Sequence, residues 1–278
     1  MAMAGATNAL GTSTTALYDN PANLPFARVY HFEAGARFSP EARRQSYTAA
    51  VADSVTNRFA GGIAGSYSIL DPDGLARTWT DVRLSLAVPL SEAIAVGVAG
   101  RYLDIHQAVG KGPFGASLAS DGTADGKLWT GFTVDAGITV MPVTGLRLGI
   151  IGKNLTYPNN GLLPTLAGGG IGYGTEAFAI EADSLVDFTT WGAPRPRVGG
   201  GIEVFLANRI PLRAGYRFDA GQKVQSVTFG IGYIDKKFGL EASGRRDVVA
   251  DHPMTSVAFS LRYFYDAAGT TDSIGTME

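Results

Sequence analysis

The stretch DVRLSLAVPLSEAIAVGVAG, residues 81–100, decides how the rest of the chain is read. Val82, Leu84, Leu86 and Val88 alternate with Asp81, Arg83, Ser85 and Ala87. After Ser91 and Glu92 the same period resumes, Ile94, Val96, Val98 and Tyr102 standing against Ala95, Gly97, Ala99 and Arg101. A period of two is that of a β-strand, whose successive side chains point to opposite faces. Two such runs joined by a short polar break form a hairpin with one apolar face and one face of charge and small residues.

The pattern extends in both directions. Upstream, Tyr30, Phe32, Ala34, Ala36 and Phe38 alternate with His31, Glu33, Gly35 and Arg37; a weaker run holds Tyr47, Ala49 and Val51, and a third sets Phe59, Gly61, Ile63, Gly65 and Tyr67 against Arg58, Ala60, Gly62, Ala64 and Ser66. Downstream, a polar, glycine-rich stretch from about 104 to 127 gives way to Phe132, Val134, Ala136, Ile138 and Val140, then to Leu146, Leu148 and Ile150. Seven further segments lie near 163–174, 177–188, 196–206, 209–218, 223–234, 237–246 and 254–265, making about fourteen strands. Connections alternate too. Those after even strands are short, such as Ser91 with Glu92 and Ala207 with Asn208, and most of those after odd strands are longer. Tight turns on one rim and longer loops on the other are the pattern of a transmembrane β-barrel with both termini periplasmic.

A soluble sandwich would also alternate. Two features favour a membrane barrel: the polar phase is rich in Gly, Ala and Ser, which suits a crowded interior, and the apolar phase holds almost no charge. Aromatic residues also gather at strand ends. Tyr30, Tyr233, Phe238, Tyr263 and Tyr265 mark one rim, and Phe38, Tyr67, Tyr102 and Phe218 the other, as interfacial girdles do. No run approaches the ~18 apolar residues of a spanning helix. A net charge of -2 with no basic run excludes a nucleic-acid partner. The absence of cysteine excludes thiolate metal sites and thiol nucleophiles. His31, His106 and His252 have neither metal-ligand nor triad spacing, and the glycines between Gly168 and Gly174 read as strand rather than dinucleotide loop. No enzyme activity and no cofactor or metal is expected. Met1 to Leu10 lack the features of a secretory signal, so a leader is expected to have been removed or to lie upstream.

The charged phase should line the lumen: Glu33, Arg37, Asp81, Arg83, Arg101, Asp135, Arg147, Lys153, Arg197, Glu203, Arg213, Arg217 and Arg262, with Glu181, Asp183, Glu241 and Arg245. Charges in such a space need water or opposite partners. Two readings stand: an ion-pair network that fills the lumen, or a basic lining that selects substrate.

Before the first strand, Gly5, Ala6, Ala9 and Leu10 lead to Leu17, Tyr18, Asp19, Asn20, Pro21, Ala22, Asn23, Leu24 and Pro25. This resembles the FadL-type outer-membrane barrels, including their PorV-like branch, in which a Gly/Ala-rich segment and an Asn-Pro-Ala motif form a plug; Asn20, Pro21 and Ala22 match that motif. Lys153, Asn154 and Leu155 resemble the Asn-Leu ending of the PorV-like branch. The resemblance implies a plug over 1–26 and a barrel over 27–265; the polar stretch 266–278 lacks an apolar pattern and is expected to be a disordered periplasmic tail. It also implies a candidate lateral gate in the third strand at Gly61, Gly62 and Gly65, where glycine tolerates bends. The family's ligand-capturing loops are poorly matched, since only 104–127 is long and carries little more than Phe114 and Leu118 as apolar surface. The expected partners are outer-membrane lipid and a hydrophobic small molecule. The expected function is FadL-type passage of hydrophobic or small amphipathic compounds. The alternative is a PorV-like subunit of a secretion, motility or surface-assembly machine, which would bind other envelope proteins.

Overall fold

The computed structural model describes residues 2–71, 77–107, 111–112, 115–116, 126–158 and 163–265. The strands predicted from periodicity are Tyr30–Ser39 (β1), Arg44–Asp53 (β2), Ala60–Leu70 (β3), Arg77–Pro89 (β4), Ile94–Gln107 (β5), Gly126–Val143 (β6) and Leu146–Lys153 (β7) in the first half. The second half holds Leu166–Gly174 (β8), Phe178–Asp187 (β9), Arg195–Leu206 (β10), Ile210–Asp219 (β11), Val224–Ile234 (β12), Phe238–Val249 (β13) and Thr255–Phe264 (β14). Each pairs antiparallel with its sequence neighbours, and β1 closes on β14 from His31 opposite Phe264 to Phe38 opposite Val257, giving a closed fourteen-stranded barrel. Closure removes the sheet edge, so every barrel strand has a partner on both sides.

Side-chain alternation assigns the faces. In β4, Asp81, Arg83, Ser85 and Ala87 are buried while Val82, Leu84 and Leu86 are exposed, Leu84 at 57%. The same phase holds around the ring, with Ile138, Ile180, Ile202, Phe229 and Phe259 exposed on the outer face. An apolar belt running round the whole molecule greatly exceeds the few hundred Å² that a soluble monomer leaves in water. Aromatic pairs sit where the girdles were predicted: Tyr30 meets Tyr265 with ring centroids 5.5 Å apart, and Phe38 meets Tyr47 at 6.2 Å.

β5 and β6 run further than their hydrophobic pattern suggested. Their ladder continues to Gln107 opposite Gly126, and the reason is a change of phase. Beyond Tyr102 the inward positions Leu103 and Ile105 are apolar and buried, whereas the outward Asp104 accepts a hydrogen bond from Thr130. A strand that leaves the apolar belt has water outside it, so the pattern inverts without a break in the strand. Phe114, Leu118 and the expected tail 266–278 lie outside the described residues.

Residues 2–29 precede β1. They contain one short helix, Thr14–Tyr18 (α1), and a 3₁₀ turn, Pro21–Phe26. Ala6, Ala9, Asn20, Ala22 and Asn23 are fully buried although this segment has no strand of its own.

Candidate functional site: the barrel lumen

The N-terminal segment runs against the inner wall, and glycines on that wall give it room. A Cβ on Gly62 would lie 2.8 Å from Leu17, on Gly201 2.7 Å from Met3, and on Gly215 2.8 Å from the Ala4 nitrogen. At Gly97, Gly137, Gly149 and Gly172 it would collide with Ala22, Asn20, Asn8 and Leu10 respectively. One missing side chain on each of these strands therefore traces the path of residues 3–22, because glycine leaves room for the segment's backbone at Gly97, Gly149, Gly201 and Gly215 and for its side chains at Gly62, Gly137 and Gly172.

The contacts that hold the segment are mostly polar. On β9, the Asp183 carboxylate accepts the backbone N–H groups of Thr7 (2.8 Å) and Asn8 (3.0 Å), and Glu181 accepts those of Ala9 (2.6 Å) and Leu10 (3.2 Å). Four consecutive backbone donors with no secondary-structure partner are thus satisfied, as buried donors must be. Asn20 donates to the Asn8 carbonyl (2.8 Å) and to Thr139 Oγ1 on β6 (3.1 Å), while its own Oδ1 accepts the Ala22 N–H (3.1 Å) and caps the 3₁₀ turn. Pro21 opens that turn, where its missing N–H costs nothing. Asn23 donates to the Asn8 carbonyl and accepts from Thr139.

Cations secure the end of α1. The Tyr18 carbonyl accepts from Arg83 on β4 (3.0 Å) and from Lys153 on β7 (3.1 Å), a favourable place for positive charge. Lys153 also pairs with Asp19 at 3.2 Å. Burial opposes ionisation of Asp19, but the Lys153 ammonium and the Thr7 hydroxyl hold its carboxyl below its ordinary value. Burial pushes the Tyr18 phenol up to about 12 against the pull of Arg83.

Most of the predicted lumen charges come together in local groups. Asp81 joins Arg83 (3.1 Å) to Arg101 (2.6 Å), and Arg83 lies 3.6 Å from Asp135. Arg213 bridges Glu203 and Glu241; Arg262 reaches Glu241 at 3.7 Å and Glu33 at 3.1 Å. Arg197 lies between Asp187 (2.6 Å) and Asp219 (3.2 Å), and Arg217 reaches Asp219 at 3.4 Å. Arg147 packs its guanidinium 4.8 Å from the Phe26 ring centre. Arg37 belongs to none of these groups and faces an open chamber. In the sequence Glu181 and Asp183 stand out only as lumen charges. Nothing in the sequence marks them as anchors, because their partners lie more than 170 positions away.

Two motifs find local explanations. Asn154, after β7, has φ 55°, donates its N–H to Asp135 (2.7 Å) and accepts from Arg101 (3.0 Å), so the Lys153-Asn154-Leu155 ending terminates a strand. Along Gly61, Gly62 and Gly65 the ladders of β3 to β2 and β4 run without a register shift. Gly61 and Gly65 lie in the outward phase and Gly62 faces Leu17. On the outer wall nearby, Phe32, Ala34, Ala49, Gly65, Leu261 and Tyr263 border an apolar recess of about 490 Å³. Among the described residues no cluster of His, Asp and Glu could hold a metal ion.

No protein-family model and no curated relative matches the sequence. The fold is similar to those of solved channels. The monoaromatic hydrocarbon channel CymD superposes with a TM-score of 0.69 at 10% identity, over 94% of this chain and 95% of its own. The Ralstonia pickettii toluene transporter TbuX gives 0.64 at 12% identity, over 91% and 94%. The Pseudomonas putida toluene transporter TodX gives 0.61 at 16% identity, over 95% and 97%. At these identities the likeness is one of fold.

Proposed function

We propose that this chain is a FadL-type outer-membrane barrel that passes hydrophobic or small amphipathic compounds, with both termini in the periplasm and residues 1–26 as its plug. One observation carries the reading: the lumen of a barrel with an apolar outer belt is occupied by a chain segment held by hydrogen bonds and glycine-lined seats. Such contacts can exchange for water when the segment shifts, at a net cost of only about 1 kcal/mol each. The fold shared with hydrocarbon channels supports the same reading. A hydrophobic compound would leave sideways through the wall by the apolar recess beside Gly65, with Gly61 and Gly62 giving β3 the freedom to bend. The PorV-like alternative is less favoured, since its Asn-Leu signature is accounted for by the strand end at Asn154 and the solved structures named above are channels and transporters.

The chain has no cysteine, which makes a disulfide lock clean. Thr228 Oγ1 lies 3.0 Å from the Ala4 nitrogen, so the pair Ala4→Cys and Thr228→Cys ties the start of the segment to β12 while residue 30 ties its other end to β1. Toluene uptake by proteoliposomes should stop on oxidation and return on reduction. Equal uptake in the oxidised and reduced forms would overturn the proposal.

A further inference from the structure

We propose that Glu181 and Asp183 hold one proton between them while the N-terminal segment is docked, so that docking takes up a proton and weakens as the pH rises. The inference goes beyond the passage reading and rests on it in one respect, the segment's ability to leave the wall.

Both carboxyls stand on the inner face of β9, 2% and 6% exposed. Residues two apart on a strand share a face, and these two groups come within hydrogen-bond reach of each other. They meet in a hollow over β8: a Cβ on Gly170 would collide with Asp183 Oδ1 and lie 3.3 Å from Glu181 Oε1. The segment's donors engage three of the four oxygens. Asp183 Oδ2 accepts the N–H groups of Thr7 and Asn8 and the Asn8 side-chain amide (2.8 Å), and the two Glu181 oxygens accept the N–H groups of Ala9 and Leu10. Asp183 Oδ1 is buried and has no donor.

No cation compensates the pair. Elsewhere in the lumen Glu33, Asp81, Asp135, Glu203, Asp219 and Glu241 each meet an arginine. The register explains the difference. Glu181 lies between Gly172 and Gly201, and Asp183 between Gly170 and Gly199, so neither neighbouring strand offers a side chain at their level. The same wall seats the segment, Leu10 over Gly172 and Met3 over Gly201, which fills the space an arginine would need. The charged and titratable groups around the pair are engaged with one another: Asp19 of the segment with Lys153, Arg147 on β7 with the Phe26 ring, and Asp187 on β9 with Arg197 on β10. Across the adjoining cavity Glu203, Arg213, Glu241 and Arg262 form one group, and His31 on β1 bonds Ser13 and Thr14.

Two adjacent carboxylates without a cation do not both stay ionised where water is excluded, because burial and mutual repulsion both oppose the second charge. One proton removes both costs. Placed on Asp183 Oδ1 it is donated to Glu181 Oε1, which gives the one unengaged oxygen a partner, while the remaining negative charge still serves the backbone donors. When the segment leaves, water reaches both groups and takes the proton. Glu181 borders a lumen cavity of about 320 Å³, which is the route for that exchange. The docked state therefore binds one proton more than the undocked state, and the ratio of docked to undocked falls by up to about tenfold for each unit of rising pH.

The test uses the full barrel in phospholipid nanodiscs and reads the proton and the segment separately. The infrared difference spectrum between wild type and Asp183→Asn at pH 7 should show the carbonyl band of one protonated carboxyl per chain, and Glu181→Gln alone should remove the same band. Proteolysis within residues 1–26, normalised at each pH to a free peptide of that sequence, should accelerate at least about tenfold between pH 5 and 9 in wild type. Asp183→Asn keeps every hydrogen bond of Asp183, since its amide oxygen takes the place of Oδ2 and its NH₂ group that of the shared proton. Its cleavage should therefore stay slow and vary less than about twofold across the range. His31→Gln should keep the wild-type pH dependence. A missing band, flat or falling cleavage in wild type, a wild-type rise in Asp183→Asn, or loss of the rise in His31→Gln would each overturn the proposal. A missing band with normal toluene uptake sinks this inference alone; no toluene uptake with the band and the rise both present sinks the passage reading alone.

Discussion

Replacing Asn20 with alanine should release the N-terminal segment while leaving the barrel intact. The substitution removes two donated hydrogen bonds, to the Asn8 carbonyl and Thr139, and one accepted from the Ala22 N–H. Asn23 still serves both the Asn8 carbonyl and Thr139, so only the Ala22 N–H is orphaned. At about 1 kcal/mol for each of the two donated hydrogen bonds, plus about 1–3 kcal/mol for the orphaned Ala22 N–H, docking should weaken by about 3–5 kcal/mol. With 1.4 kcal/mol per decade, the undocked population rises by roughly 2 to 3.5 orders of magnitude. No strand-to-strand hydrogen bond is touched, so the thermal transition of the barrel on a gel should not move. Limited proteolysis within the first 26 residues should accelerate by at least tenfold, and toluene uptake should rise until the barrel itself limits the flux. Unchanged cleavage and unchanged uptake in a folded N20A barrel would refute the reasoning.

Three further outcomes follow from the same geometry. Asp183→Ala leaves the N–H groups of Thr7 and Asn8 unsatisfied, at about 1–3 kcal/mol each, and should expose the segment to protease as N20A does; cleavage at the wild-type rate would argue against β9 as an anchor. Leu84→Arg places a charge on the outer face of β4 and should destabilise the barrel by about 2–4 kcal/mol in urea titrations from liposomes; a loss below 0.5 kcal/mol would place that face in water. Tyr18 should give an ultraviolet titration step near pH 12 that vanishes in Tyr18→Phe. Because its folded pKa lies above the ordinary value of 10.0, its contribution to docking is complete below pH 10 and fades as the pH rises towards 12, so protease access should increase across that window.

The strands were legible because their environment is simple: lipid outside and a crowded polar lumen inside impose one alternation on every strand. The reading faltered where the environment changes. Leu103 and Ile105 look out of phase with Val96 and Val98 only because β5 passes out of the apolar belt. The lumen was legible as a list of charges, not as a set of partners. Arg83 and Arg37 look alike in sequence, yet one is locked to Asp81 and the other has no ion pair among the described residues, a distinction that depends on how the folded ring arranges its neighbours. In the sequence the inward glycines signal only a crowded interior. Gly97, Gly137 and Gly149 in fact leave space for Ala22, Asn20 and Asn8, and no local pattern could reveal which residues would occupy those positions.

All of this depends on which face of each strand meets acyl chains. Single cysteines at Leu84 and Ile138, and at the inward Ser85 and Thr139, can carry nitroxide labels in a chain with no cysteine of its own. In phospholipid nanodiscs the first pair should show high oxygen accessibility and little access to a water-soluble nickel chelate, while the second pair should show low oxygen accessibility. If Leu84 and Ile138 instead prove accessible to the chelate, or shielded from both reagents, the barrel is not solvated by lipid and the functional account falls with it.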